Sequence, residues 1–105
     1  MMQKKAHPMD VKIEIVNAKD WKNTNNIAIK VKGLFRNSGW RIESVLHKVS
    51  GEIIRVDINS KHLGGMSLMV LTPFEVIENV QIATPHNINK ICVFIDGDEY
   101  ATQIL

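Results

Sequence analysis

An alternation of apolar and polar residues predicts β-strands along much of this chain. In residues 11–15, 27–32 and 54–58 every second side chain is aliphatic, and most of its neighbours are polar or charged. Successive side chains of a strand point to opposite faces, so this pattern indicates strands with one buried face. Residues 90–95 are largely apolar, and residues 100–104 predict a closing strand.

The most apolar part of the chain is Ser67–Ala83. Within it Leu68–Leu71 is an unbroken apolar run, which is typical of a strand covered on both faces. We therefore expect it in the middle of a sandwich, with the other segments packed around it. Pro73 has no amide hydrogen for a β-ladder and predicts a kink between this strand and an alternating strand that follows.

Two segments are also compatible with a helix. In residues 40–49 the apolar residues Ile42, Val45 and Val49 fall at helical offsets, and in residues 73–80 a capping-box spacing accompanies proline at the first helical position. β-branched residues favour a strand over 73–80. The Ser50-Gly51 turn signal and the alternation after it favour a hairpin over 40–58.

Polar segments rich in turn-forming residues separate the predicted strands. Asp96-Gly97 is typical of the primed turns that join hairpin strands. Seven or eight short strands at this spacing predict an all-β fold, an antiparallel immunoglobulin-like β-sandwich. The longer connections, of which we take the first three as candidate binding surfaces, are Asn17–Asn26, Gly33–Gly39, Asn59–Gly65 and Thr84–Asn89.

A chain of 105 residues is long enough for one core. We expect one domain over 10–105, preceded by a disordered arm over 1–9. The arm has no apolar segment behind its lysines, so it is not an intact signal peptide, and no apolar run is long enough to span a bilayer. Cys92 is the only cysteine and is expected to be a buried thiol.

The sequence gives little support to catalysis. The four histidines are scattered and no paired-cysteine motif occurs, so we expect no metal and no cofactor. Neither a nucleophile elbow nor a phosphate-binding loop is present. Glu75 and Glu78 lie on opposite faces of a predicted strand, and Asp96–Glu99 is explained by its turn rather than by a cation site. We predict that the protein is not an enzyme.

Basic residues are concentrated in the first part of the chain, where residues 1–61 contain 12 of the 13 Lys and Arg side chains. In residues 30–41 the basic residues are interleaved with Phe35 and Trp40. This pattern suggests an alternative function, the binding of single-stranded nucleic acid by a β-barrel through this segment. We favour solvated lysines and core aromatics instead, with Trp40 filling the core between the sheets. The candidate binding surface is Lys30, Lys32, Arg36, Asn37 and Arg41.

Several short motifs occur from Ile27 onwards: Val31-Lys32-Gly33, Asn37-Ser38-Gly39, Gly51-Glu52, Val70-Leu71-Thr72-Pro73-Phe74-Glu75 and Phe94-Ile95-Asp96-Gly97. Together they resemble an uncharacterised bacterial immunoglobulin-like domain of secreted or envelope proteins. The resemblance implies an exported, non-enzymatic binding or structural module, with a signal upstream of Met1; otherwise we expect a cytoplasmic protein. The partner would be another protein or an envelope component, with self-association through edge strands as a further expectation. Where the family has a cysteine pair, Trp40 and Ser67 stand here.

Overall fold

The structure is a computed structural model that describes residues 5–105. The predicted all-β class is confirmed, and residues 40–49 and 73–80 are strands rather than helices. Short helical turns occur at Trp21–Thr24 (α1) and Pro85–Asn87. Within the described residues there are seven strands: β1 (Met9–Ile15), β2 (Asn26–Phe35), β3 (Trp40–Ser50), β4 (Ile53–His62), β5 (Thr72–Gln81), β6 (Lys90–Ile95) and β7 (Asp98–Ile104).

The strands form two sheets. One is antiparallel with the order β1-β2-β5, and the other has the order β3-β4-β6-β7. The expectation of antiparallel pairing throughout is wrong at one place, because β4 and β6 pair in parallel. The reason is topological: the chain leaves β4, passes through β5 in the other sheet, and returns in its original direction beside β4.

One apolar core lies between the two sheets. The inward residues of β2, β4 and β6 alternate with outward ones and are almost completely inaccessible to solvent, as the pattern of residues 27–32 and 54–58 predicted. Cys92 is buried, also as predicted. The fully buried side chains of the core are Ile27, Ile29, Val31, Phe35, Ile54, Val56, Ile58, Val80, Ile91, Val93 and Ile95.

The prediction for Leu68–Leu71 is wrong. These four residues form no strand, and all four side chains are exposed. Pro73 is not a kink between two strands either, since it is the second residue of the single strand β5 and is paired with Leu34 at the end of the ladder. β5 is an edge strand, which tolerates a proline. Because β2 already lies between β1 and β5, the preceding run has no place beside this central strand.

The two tryptophans differ in burial. Trp21 belongs to α1 and is 5% exposed, so the core aromatic at this end comes from a segment that the sequence predicted to be a polar loop. Trp40 is only partly buried: it packs against the margin of the core, with its ring edge-on to His62 at a centroid distance of 5.0 Å. The prediction that Trp40 fills the core between the sheets is therefore wrong, because its ring lies at the margin of that core.

The predicted hairpin turns are present, whereas the described part of the predicted N-terminal arm belongs to the fold. β3 and β4 form the expected hairpin, and Asp96 and Gly97 have φ values of 52° and 87°, as a primed turn requires. Residues 1–4 of the predicted arm lie outside the described residues. Residues 5–9 do not behave as an arm, because Ala6 and Pro8 are buried and β1 begins at Met9.

Glu75 and Glu78 lie on opposite faces of β5, as the strand period predicted. The Glu75 carboxylate is 3.7 Å from Lys30 Nζ on the outer face, while Glu78 Oε2 is 2.7 Å from His47 Nδ1 on the inner side. The His47–Glu78 contact bridges β3 and β5 where the two sheets meet at one side. Both carboxylates therefore have structural partners and do not form an acid–base pair.

Candidate functional site: an apolar tip with a basic collar

Four connections meet at one end of the molecule, because the strand directions bring them there. They are residues 5–8, the turn 36–39, the loop 63–71 and the Asp96-Gly97 turn. The opposite end has residues 16–25, the β3–β4 turn and residues 82–89. Of the three candidate binding loops, Gly33–Gly39 and Asn59–Gly65 are thus neighbours, while Asn17–Asn26 lies at the far end.

The loop 63–71 exposes an unusual amount of apolar surface, and we call it the apolar tip. Met66 is fully exposed and Met69 is 84% exposed. Six of the twelve large exposed apolar side chains within residues 5–105 lie in these nine residues. Of the other six, three lie on the β3–β4 hairpin and the remaining three on separate elements. Dispersed apolar residues are normal on a protein surface, but a contiguous apolar patch marks an interaction site. The six are Leu63, Met66, Leu68, Met69, Val70 and Leu71.

The base of the tip is fixed by hydrogen bonds to the turn between β2 and β3. The Ser38 amide donates to the Leu68 carbonyl at 3.0 Å, and the Leu68 amide donates to Ser38 Oγ at 2.8 Å. The Leu63 amide donates to the Gly39 carbonyl at 2.9 Å. A Cβ at Gly39 would collide with the His62 ring, so the two segments require glycine to approach this closely.

Three basic residues flank the tip, and we call Arg36, Arg41 and Lys61 the basic collar. All three are exposed, and Arg36 is oriented by a 2.6 Å hydrogen bond from its Nε to the His7 carbonyl. Arg41 and Lys61 are direct cross-strand partners in the β3–β4 ladder. Neither forms an ion pair with another described residue. Like charges at such positions destabilise a sheet.

The acidic side chains of the neighbouring β6–β7 turn are occupied. The Asp96 carboxylate accepts hydrogen bonds from the Ala6 amide, the Ser60 amide and the Ser60 hydroxyl. Asp98 forms an ion pair with Lys5 at 3.2 Å. This turn therefore docks residues 5–6 onto β4 and joins β6 to β7 as the predicted hairpin.

Tyr100 provides a test of this corner of the fold. Burial raises the pKa of its hydroxyl above the ordinary value of 10.0, and the nearby Asp98 and Asp96 raise it further. Because the unfolded chain releases this proton first, stability is fully present below pH 10 and falls as the pH rises from there through the folded-state pKa. Tyr100 is the only tyrosine, so phenolate absorbance should titrate in one step above pH 10.

The Asp98→Asn variant is the matched control for that titration. Since it removes one of the charges that raise the pKa of Tyr100, its midpoint should fall towards 10.0. A parent midpoint at or below 10.0 would show that Tyr100 does not occupy this environment.

The structure separates the predicted binding residues. Lys30 and Lys32 lie on the outer face of the three-stranded sheet, within ion-pair distance of Glu14. Arg36 and Arg41 belong to the collar, and Asn37 accepts a hydrogen bond from the Gly39 amide at 2.9 Å. Only the latter group, Arg36, Asn37 and Arg41, therefore adjoins the tip.

The tip itself was missed because an apolar run was interpreted as core. Two signals could have identified it: Gly64 and Gly65, with positive φ values of 79° and 70°, and Pro73 close behind it. The two glycines before the run and the proline after it interrupt the strand pattern on both sides.

A polar cleft of about 710 Å³ adjoins the collar, and its mixed lining includes Trp40, Lys61 and Asp96.

Within residues 5–105 no three His, Cys, Asp or Glu side chains are grouped so that they could hold a metal ion. The same part of the chain has no helix long and apolar enough to cross a membrane. Comparisons with protein-family models, with curated proteins and with solved structures found no match.

Proposed function

We propose that this chain is a non-enzymatic binding module that recognises its partner through the apolar tip and the basic collar. The observation that supports this proposal most directly is the concentration of exposed apolar side chains in residues 63–71. The rest of the fold supplies a rigid scaffold, with one core shared by two sheets.

The energetic reason lies in the solvation of the tip. Transferring one Leu or Met side chain out of water is favourable by about 1.5–3 kcal/mol. In the free protein much of this free energy is not gained, because the six apolar side chains of the tip keep 52–103% of their surface exposed. A partner that covers several of them would recover enough free energy to offset the entropic cost of association.

An immunoglobulin-like scaffold from the envelope is part of this proposal. The three-stranded and four-stranded sheets around one core support it, while the parallel β4–β6 pair departs from the all-antiparallel pattern of such domains. Segments 38–40 and 67–68 also lie side by side, since a Cβ at Gly39 would come 3.0 Å from Ser67 Cβ. The two positions where the resembling family has a cysteine pair are therefore close.

Binding of single-stranded nucleic acid through residues 30–41 is the less well supported alternative. Phe35 is 1% exposed and stacks on Phe74 at 4.6 Å, so its ring is not accessible to a base. Lys30 contacts the carboxylates of Glu14 and Glu75. Titration of oligonucleotides at increasing salt tests it, because phosphate contacts weaken steeply with salt.

The proposed function is tested by comparing the parent with Met66→Ser/Met69→Ser, using Val16→Ser as the control at the far end. Val16 is an exposed apolar residue outside the tip. Labelled proteins are incubated with the soluble and membrane fractions of a cell extract, and the retained protein is measured. We expect the tip variant alone to lose retention by about tenfold or more. Equal retention of all three proteins, or turnover in an activity screen abolished by a tip substitution, would contradict the proposal.

A further inference from the structure

We propose that the partner of the apolar tip is an anionic lipid surface, with the tip inserted at the level of the headgroups and the collar held against the lipid phosphates. This inference rests on the proposed function, because it names the partner of the same site. It follows from the chemistry of the tip, the charge beside it and the absence of directional polar groups.

The composition of the tip fits a lipid better than a protein pocket. Protein interfaces are enriched in aromatic residues, Met and Arg, and they contain about one hydrogen bond per 100–200 Å² of buried surface. Residues 63–71 contain no aromatic residue, and Ser67 is their only side chain with a hydrogen-bonding group. Flexible aliphatic and methionine side chains without polar partners suit the acyl boundary of a bilayer, which requires no directional contacts.

The depth of insertion is limited by the backbone of the tip. Its amides and carbonyls outside the Ser38 and Gly39 contacts are not in a β-ladder. Such groups cannot enter the hydrocarbon region unsatisfied, whereas the hydrated headgroup region supplies partners. The tip therefore suits shallow attachment at the interface.

The collar explains why the lipid should be anionic. Arg41 and Lys61 face the same side of the β3–β4 ladder as a like-charged pair, and residues 58–74 contain no Asp or Glu. Glu43 lines the adjoining cleft with Lys61, but the two form no ion pair. An anionic surface would relieve the repulsion, and each cation adds to the attraction of a protein to such a surface.

Co-sedimentation with vesicles tests the inference. We expect binding to vesicles that contain phosphatidylglycerol, weak binding to pure phosphatidylcholine, and a loss of affinity as salt increases. Arg41→Gln/Lys61→Gln should weaken binding by about 30-fold, and Met66→Ser/Met69→Ser by about tenfold or more. The matched controls at the other end, Lys19→Gln/Lys48→Gln and Val16→Ser, should bind within about twofold of the parent. Thermal melts should be unchanged in the tip variant and in both controls, since the altered side chains are exposed. Arg41→Gln/Lys61→Gln should melt at the same temperature as the parent or slightly higher, because it removes the like-charge repulsion across the β3–β4 ladder.

The outcomes distinguish this inference from the proposed function. If the fractions of the cell extract retain less of the tip variant than of the parent, but the parent does not bind anionic vesicles, the lipid inference is wrong and the proposed function stands. Equal binding to neutral vesicles, or equal losses in the controls, also overturns it. If sedimentation shows an oligomer of the parent that the tip variant abolishes, the occupant is a second copy of the chain. If no preparation shows tip-dependent binding, both proposals fall.

Discussion

Trp21→Ala is expected to lower the free energy of unfolding by about 3–5 kcal/mol, the largest effect of any single substitution considered for this chain. Trp21 is 5% exposed and closes the core from α1, so its removal leaves a cavity among packed aliphatic side chains. Since small domains have a stability of about 5–15 kcal/mol, the variant should lose much of its resistance to denaturant. Urea titration followed by circular dichroism measures the change.

Trp40→Ala is the matched control, because it removes the same side chain from a partly buried position. We expect it to cost about half as much or less, since less apolar surface is withdrawn from water. Should Trp40→Ala prove as destabilising as Trp21→Ala, the assignment of Trp40 to the margin of the core would be wrong.

Asp96→Ala is expected to lower the free energy of unfolding by about 3 kcal/mol, from lost charge-assisted hydrogen bonds and from backbone strain. Its carboxylate accepts hydrogen bonds from the Ser60 amide, the Ser60 hydroxyl and the Ala6 amide. Its φ of 52° is a conformation that Asp and Asn tolerate better than Ala. The loss is measured by denaturant titration.

Asp96→Asn separates these two causes. Asparagine suits the turn and retains one acceptor oxygen, so we expect a loss clearly smaller than that of alanine. Hydrogen exchange should also be faster at the Ala6 and Ser60 amides in the alanine variant. Identical stability of the parent and Asp96→Ala would show that this turn does not hold residues 5–6 on the body.

Local sequence patterns predicted the elements whose buried face or turn geometry follows from the order of residues within a single segment. The alternation in β2 and β4 reports which face meets the core, and Asp96-Gly97 specifies a turn by backbone geometry alone. The parallel pairing of β4 and β6 depends on where β5 lies, and no residue of either strand encodes that position. Trp21 was missed because the polar residues around it indicate a loop.

The tip was missed for a different physical reason. Leu68–Leu71 has the composition of a buried strand, and hydrophobicity favours removal from water without specifying what covers the surface. In this fold β2 lies between β1 and β5 and β4 lies between β3 and β6, so no central position in either sheet is open to the run, and it is exposed. The collar was recognised in part through Arg36 and Arg41, but Lys61 becomes its third member only through its pairing with Arg41.

Amide hydrogen exchange, followed by mass spectrometry with and without phosphatidylglycerol vesicles, tests the role of the tip most directly. In the free protein the amides of Met69, Val70 and Leu71 should exchange rapidly and those of the central strand β2 slowly, because only the latter lie in a β-ladder. Vesicles should then slow exchange in residues 36–39 and 63–71 and leave residues 17–26 unchanged. Slow exchange at 69–71 in the free protein, or vesicle protection confined to residues 17–26, would contradict the assignment of this loop as an exposed lipid-binding tip.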